Sequence, residues 1–267
     1  MEQKTGKTNN IKSIVKAVNI INLLAGEGES MSLAHMASEL NMSKSTLHGI
    51  LSTLVDVRFL AQDQETGQYR LGVRLFQIGS QMSSMWNERK IAYPYIQQIV
   101  AEVGETVHMA VLDDYEVLYI NKQESTNSIR IVTDIGAKLP AYCTGLGKVL
   151  LSGLSKQEFQ QMLRKKELKS HTSYTITDPN VLWKELETIR SCGYAEDDQE
   201  YIEGLRCVAA PILNCEGTIV AALSISGPVS RMQNGKFEQC KMSLIKAGNE
   251  ISEQMGYEKG ERDAGNL

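Results

Sequence analysis

The chain of 267 residues lacks any apolar run near the roughly 18 residues that a membrane-spanning helix needs, so no membrane association is expected. It has few cysteines. Cys143, Cys192, Cys207, Cys215 and Cys240 are scattered, and no two form a CxxC pair, which excludes a disulfide framework and argues against a structural zinc site. With 5 Pro and 21 Gly, the chain is neither collagen-like nor of low complexity. G-x-S-x-G, H-E-x-x-H and G-x-x-x-x-G-K-[ST] are all absent, so nothing signals a hydrolase, a zincin or a P-loop enzyme. A thiol catalytic site would have to be assembled from His108, His171 and Cys207. No enzyme activity, metal or cofactor is expected. The first residues are polar rather than a signal-peptide core, which predicts a cytoplasmic protein.

What the chain does contain is an ordinary globular composition, 42% hydrophobic and 22% charged, with a net charge of −4. The charge is unevenly spread. Residues 1–90 hold 10 Lys and Arg against 8 Asp and Glu; the remainder holds 18 against 24. A slightly basic head on an acidic body is compatible with a nucleic-acid-binding module joined to a domain that does something else.

The first third reads as three helices and a hairpin. Ile14, Ala17, Val18, Ile21 and Leu24 recur at helical spacing, and Gly26-Glu27-Gly28-Glu29 ends the run. Ser32 is a suitable N-cap for a second helix carrying Leu33, Met36, Ala37 and Leu40. Asn41 tolerates the left-handed turn that follows. Ser43 or a neighbour caps a third helix with Leu47, Ile50, Leu51 and Leu54 inward. Strands at 57–60 and 69–71 then flank Asp63-Gln64-Glu65-Thr66-Gly67, a hairpin turn. This order is that of a winged helix-turn-helix. At about 100° per residue, Ser45, His48, Gly49 and Ser52 face away from the core, with Lys44 and Thr46 beside them. Hydroxyls and first-turn amides suit phosphate oxygens, Lys44 supplies a point charge, and His48 reaches a base edge or a phosphate. Gln68 and Arg70 of the hairpin suit the DNA backbone or the minor groove. The predicted DNA contacts are therefore Ser43, Lys44, Ser45, Thr46, His48, Ser52, Gln68 and Arg70. The same helix packing also serves protein–protein modules. Nothing in the set is arginine-rich, so usable affinity calls for a dimer reading two half-sites.

A helical stretch through Leu75, Ile78, Met82 and Met85 follows, then a helix from Ile91 to Val103 around Pro94, which sits in a first turn or marks a kink. Such a seam suits dimerisation. Beyond Glu105 the texture changes to strands at 106–112, 117–120 and 129–132. Helices are predicted at about 146–151, 156–165 and 179–191, strands at 208–213 and 219–226, and a closing helix at about 235–255. Antiparallel strands with inserted helices make an α+β domain.

These residues carry a resemblance. The chain resembles the IclR-type bacterial transcriptional regulators through Met42-Ser43-Lys44-Ser45-Thr46-Leu47-His48 and Glu65-Thr66-Gly67-Gln68-Tyr69-Arg70-Leu71-Gly72 in the head. In the body the family-like strings are Gly104-Glu105-Thr106-Val107, Gly136-Ala137-Lys138-Leu139-Pro140, Thr144-Gly145-Leu146-Gly147-Lys148 and Thr175-Ile176-Thr177-Asp178. They continue with Gly193-Tyr194-Ala195-Glu196-Asp197-Asp198, Gly204-Leu205-Arg206-Cys207-Val208-Ala209-Ala210-Pro211 and Ser224-Ile225-Ser226-Gly227-Pro228. The resemblance implies a winged-helix DNA-binding head over residues 8–73, a linker helix over 74–90 and a GAF-like effector-binding domain over 91–258, leaving a disordered tail at 259–267. It implies a ligand-responsive regulator, repression being the commoner mode, that works as a homodimer or a dimer of dimers on a double-stranded DNA operator near a small catabolic operon. Two positions depart from the pattern. Many members carry Pro where this chain has Ser43, and Arg where it has Gly49. The second loss removes a phosphate or guanine contact, and Gly loosens a helix by up to about 1 kcal/mol relative to Ala.

An effector site follows from the residues and from the resemblance. A small anion needs backbone amides at a helix start, a few hydroxyls and apolar walls. Thr144-Gly145-Leu146-Gly147 precedes a helix, and glycine permits close approach. Ser224 and Ser226 lie two apart on a strand and so share a face. Cys207 begins the strand before them, with Asp197 on the approach to it. The resemblance implies that Gly145, Leu146, Asp197, Leu205, Cys207, Ser224 and Ser226 line a ligand pocket, with Ile131 as an apolar wall, and that the ligand is a small organic acid. Cys207 read alone also fits a buried small hydrophobe. The alternative reading is a thiol- or metal-responsive regulator using Cys143 and Cys207 with Asp197.

Overall fold

The computed structural model describes residues 10–27, 30–85, 87–124 and 134–258. The chain divides into two compact units, Met1–Met85 and Trp86–Leu267. Among the described residues no helix is long and apolar enough to cross a membrane.

In the first unit, α1 (Lys12–Glu27), α2 (Leu33–Glu39) and α3 (Lys44–Asp56) are followed by β1 (Leu60–Gln62), β2 (Tyr69–Leu71) and α4 (Val73–Met85). Ser32 caps α2, its hydroxyl accepting from the His35 amide at 3.3 Å. Asn41, at φ 47°, turns the chain toward α3. Ile20, Leu24, Met36, Leu47, Leu51, Leu54, Leu60 and Tyr69 form one buried core, so the apolar spacing read from the sequence is the packing face of α3; in α1 the buried residues are Ile20 and Leu24, while Ile14 and Val18, expected on that face, are exposed. The hairpin differs from expectation at its start. Residues 57–59 are not strand: Val57 caps α3, and Arg58 takes a left-handed conformation at φ 63°. The turn is closed by Gly72, whose amide donates to Phe59 O at 2.7 Å. A β-carbon there would lie 2.3 Å from Arg58 O.

The second unit begins with α5 (Asn87–Val103), in which Pro94 lies in the helix interior rather than its first turn. Six antiparallel strands follow in the spatial order β5-β4-β3-β8-β7-β6. They are β3 (Thr106–Asp113), β4 (Glu116–Gln123), β5 (Lys138–Pro140), β6 (Ala195–Asp198), β7 (Leu205–Leu213) and β8 (Ile219–Pro228). The strands β5 and β6 were not foreseen from sequence, and the strand expected at 129–132 lies outside the described residues. Three helices, α6 (Gly145–Ser152), α7 (Lys156–Lys165) and α8 (Pro179–Cys192), come between β5 and β6, and α9 (Asn234–Gln254) closes the domain. Pro211 sits in β7 beyond Ala209, the last residue that β6 pairs, so its missing amide costs no hydrogen bond on that side.

Alternation along the strands sorts the sheet into two faces. Val107, Met109, Val208, Ala210, Leu223 and Ile225 pack with α5 and α9 residues in one core. Ala110, Tyr119, Ala209 and Ala222 pack with α6, α7 and α8 residues in the other. The small residues on that second face admit α6 closely. Gly147 lets the helix start fold tightly on the turn before it, since a β-carbon there would lie 2.1 Å from Ala141 O. Gly147→Ala is therefore expected to destabilise the folded chain by about 1–3 kcal/mol, as overpacking does, measured as a lower urea midpoint.

Candidate functional site

The register of four strands assembles a cavity. Thr106 lies opposite Ser226, Ser226 opposite Cys207, and Cys207 opposite Asp197. One row along, His108 lies opposite Ser224 and Ser224 opposite Ala209. Cross-strand partners share a face, so both rows point toward α6. There Asp197, Cys207, Ser226, His108 and Ser224 line an open cavity of about 30 Å³ together with Thr144, Gly145 and Leu146. Tyr119, Leu139 and Leu205 complete the walls, and Tyr201 and Ile202 come from the loop between β6 and β7.

Seven of the eight residues expected at an effector site thus meet in one place: Gly145, Leu146, Asp197, Leu205, Cys207, Ser224 and Ser226. Ile131 lies outside the described residues. Asp197 is not on an approach to a strand but within β6, and Cys207 is the third residue of β7 rather than its first. Sequence reading missed His108, Tyr119, Leu139, Tyr201 and Ile202, and took Thr144 only as part of the helix-start string, with no role for its side chain. For Thr144 a signal existed, since a threonine before a glycine-bearing helix start is an N-cap pattern. Its hydroxyl accepts from the Gly147 amide at 3.2 Å. For His108 and Tyr119 the signal is the strand register, which the sequence does not print.

The helix start gives the cavity a polar end. First-turn amides have no acceptor within their own helix, and Gly145 and Leu146 are the first two residues of α6. Gly145 lies against the sheet: a β-carbon on it would be 3.5 Å from that of Ala209 and 3.7 Å from those of Asp197 and Cys207. Burial, with the Glu200 carboxylate adding to it, pushes the Asp197 carboxyl up to about 7. Burial also pushes the Cys207 thiol well up and that of Cys143 to about 12. Both thiols are therefore protonated, which withholds the thiolate that redox and metal chemistry require. Among the described residues no group of three His, Cys, Asp or Glu is placed to hold a metal. His171 does not join His108 and Cys207; it hydrogen-bonds the Tyr142 hydroxyl at 3.2 Å.

A buried ion pair lies beside the cavity. Lys148 of α6 is 1% exposed and is hydrogen-bonded to the buried Glu200 carboxylate, with Glu185 of α8 at 3.3 Å. The Glu200 amide donates to Asp197 Oδ1 at 2.9 Å. Burial alone would push the Lys148 ammonium down, but its carboxylate partners hold it above its ordinary value. For Glu200, burial outweighs Lys148 and raises the carboxyl, and its Oε2 has no partner among the described residues. The loop that carries Glu200, Tyr201 and Ile202 is also strapped from outside. Thr172 and Thr175 hydroxyls donate to Gln199 O at 2.7 Å and Glu200 O at 2.6 Å.

In the first unit the exposed side of α3 is as the periodicity predicts. Lys44, Ser45, His48, Gly49 and Ser52 are exposed, while Leu47, Leu51 and Leu54 are buried. Ser43 caps the helix, its hydroxyl accepting from the Thr46 amide at 3.3 Å and bonding the Thr46 hydroxyl at 2.9 Å. Ser43, Ser45 and Thr46 therefore cluster at the helix start. Arg70 is exposed on β2. Gln68 is half-buried and accepts a hydrogen bond from the Ser30 hydroxyl.

Comparison with known proteins matches the model of the C-terminal domain of the IclR bacterial transcriptional regulators over residues 81–253 and that of the IclR helix-turn-helix domain over residues 13–64. The transcriptional repressor IclR of Escherichia coli is 33% identical over 247 residues, covering 92% of this chain and 90% of that protein. The E. coli regulator KdgR is also 33% identical, covering 92% and 94%. The crystal structure of the Thermotoga maritima IclR superposes with a TM-score of 0.76 at 34% identity, covering 93% of this chain and all of that one.

Breaking the buried pair has a signed consequence. Lys148→Met leaves Glu200 buried and uncompensated, a change that typically costs about 3–5 kcal/mol. A carboxyl raised in the folded state favours folding at low pH and loses that advantage as pH climbs through its folded value. The loss of stability should thus be smaller near about pH 5 than near about pH 7.5, read from urea midpoints at both.

Proposed function

The chain belongs to the IclR family of bacterial transcriptional regulators, and from that premise we propose that it is a cytoplasmic, effector-controlled repressor. It binds an operator through α3 and the hairpin, and its affinity is altered by a small organic acid held in the cavity of the second unit. The single observation that carries this reading is the convergence of Gly145, Asp197, Cys207, Ser224 and Ser226 from four elements on one cavity. The functional division runs as a DNA-binding head over 8–73, a linker over 74–90 and an effector domain over 91–258. The regulated genes are those of a small catabolic operon.

The head contributes phosphate contacts from the Ser43, Ser45 and Thr46 hydroxyls and from Lys44, at a helix start where backbone amides add a favourable field. His48 and Ser52 lie further along the exposed side and meet base edges or the opposite backbone. Arg70 of the wing reaches the duplex flank with Gln68. Charge is sparse in this set, so a homodimer or a dimer of dimers supplies the second half-site. In the effector domain the carboxylate lies against the start of α6. Ser226 and a protonated Asp197 donate to it, and Leu146 and Leu205 enclose its carbon skeleton. A ligand shifts DNA binding only through its unequal affinity for two arrangements of the dimer.

The direct experiment is to recover the genomic fragments retained by the purified protein and test their release by a panel of carboxylic acids; retention of none at low ionic strength would sink the proposal. Lys44→Ala should weaken all DNA sequences alike and reduce the slope of log affinity against log salt by about one for each phosphate no longer neutralised. An unaltered slope removes Lys44 from the phosphate set. Ser224→Ala with Ser226→Ala should leave operator binding intact and weaken the effector by about 5- to 100-fold, the worth of one or two hydrogen bonds, in a titration of operator release. A normal response would place the ligand elsewhere.

A further inference from the structure

His108 is the one cavity-lining side chain that the fold buries and leaves unsatisfied at every polar atom. It is 2% exposed on β3, and among the described residues neither Nδ1 nor Nε2 has a hydrogen-bond partner. Ser224 lies opposite it on β8 and Lys122 opposite it on β4. Tyr119 meets its ring edge-on, with centroids 5.3 Å apart and planes at 77°. Lys122 is itself paired with Glu124 at 3.0 Å. Asp197 and Cys207 face the same cavity from β6 and β7, and Glu200 and Lys148 beside it are paired with each other. Burial, assisted by the Lys122 charge, pushes the imidazole down to about 3. The ring is therefore neutral near pH 7, with one nitrogen donating and the other accepting.

A buried polar ring without partners costs folding stability, and native proteins keep few of them. This one is on the wall of a cavity rather than in a packed core, so a bound molecule can complete it. Its place in the sheet sets which part of the molecule that is. The start of α6 lies over Asp197 and Cys207 of the first row and Ala209 of the second. His108 is at the far end of that second row, two strands from Ala209 with Ser224 between them, about 10 Å at the spacing of paired strands. A ligand with its carboxylate at the start of α6 brings atoms several bonds away to His108.

We propose, on the reading of this cavity as an organic-acid site, that His108 is a specificity-determining ligand contact: its ring binds a hydroxyl or carbonyl oxygen several bonds from the carboxylate, selecting an oxygenated acid over the plain acid of the same skeleton. The contact is made by a neutral ring and is indifferent to pH around neutrality. The titrating group in that range is Asp197, raised to about 7 by its burial, so any pH dependence of binding belongs to the carboxylate end of the cavity. Tyr119 and Cys207 are both raised by burial and stay protonated.

The test is calorimetric titration of the full chain with three matched pairs: butyrate and 4-hydroxybutyrate, pentanoate and 4-oxopentanoate, benzoate and 4-hydroxybenzoate. In the unaltered protein at least one oxygenated acid should bind about 10- to 100-fold more tightly than its parent, the usual worth of a hydrogen bond whose loss strands a buried group. His108→Leu should bring that ratio close to one by weakening the oxygenated acid alone, and His108→Gln should retain part of it. Without ligand, His108→Leu should unfold at a higher urea concentration, because an unpaired buried polar group has been removed. An unchanged ratio in His108→Leu overturns the proposal. So does an equal weakening of both members of a pair with a lowered urea midpoint, which would make the ring a structural support. If plain and oxygenated acids bind the unaltered protein equally well, the acid-site reading stands and the role of His108 falls. If none of the six binds, the acid-site reading falls and the proposal with it.

Discussion

The cavity exists because α6 lies close on a sheet face that is lined by small residues. Ala110, Ala209 and Ala222 leave room above the sheet, Gly145 lies directly over Ala209, Asp197 and Cys207, and Gly147 lets the helix start fold tightly on Ala141. Antiparallel register then decides what the helix start meets: Asp197, Cys207 and Ser226 in one row, His108 and Ser224 in the next. None of these residues is near the others in sequence except Ser224 and Ser226. Pairing across β3, β8, β7 and β6 carries them together, and a one-residue slip in any strand would turn its members to the opposite core.

The Lys148 pair ties this arrangement to the loop above it. A lysine in the middle of Gly145–Ser152 would ordinarily be a solvated residue, yet it is among the most deeply buried side chains. Its ammonium reaches the carboxylate of Glu200, whose amide in turn binds Asp197. One buried cation thus fixes the loop bearing Tyr201 and Ile202 while lending Asp197 part of its electrostatic environment. The strap through Thr172 and Thr175 holds the same loop from its other side. The wall of the cavity is therefore anchored at its backbone, leaving its side chains to meet a ligand.

Much of this could be read from the sequence. Helical spacing located the core face of α3 and hence its exposed side, and Asn41 announced the turn before it. The helix expected at about 179–191 is α8, and the Asp178 side chain caps it, accepting from the Asn180 amide at 2.7 Å. Ser224 and Ser226 were paired by simple alternation. What stayed hidden depended on distant partners. The strand β6 is four residues long and carries three acidic residues, a composition that reads as loop until β7 pairs with it. His108 belongs to the cavity only through its partners on β8 and β4. Lys148 offered no local sign of burial, since the residue that neutralises it is 52 positions away. Val57–Phe59 look like strand by composition, but the chain needs a left-handed residue there to leave α3, and Arg58 supplies it.

Gly49 has a consequence of another kind. It lies on the exposed side of α3, and a β-carbon added to it would meet no heavy atom within 4 Å. Packing therefore places no demand on this position, and glycine is the weakest helix former apart from proline. Nearly any other amino acid could be installed there without disturbing the scaffold, and most would stiffen the rod. On the proposed reading of α3 as the helix that meets DNA, a side chain introduced here would act on the nucleic acid alone, because nothing in the scaffold beneath it comes within reach.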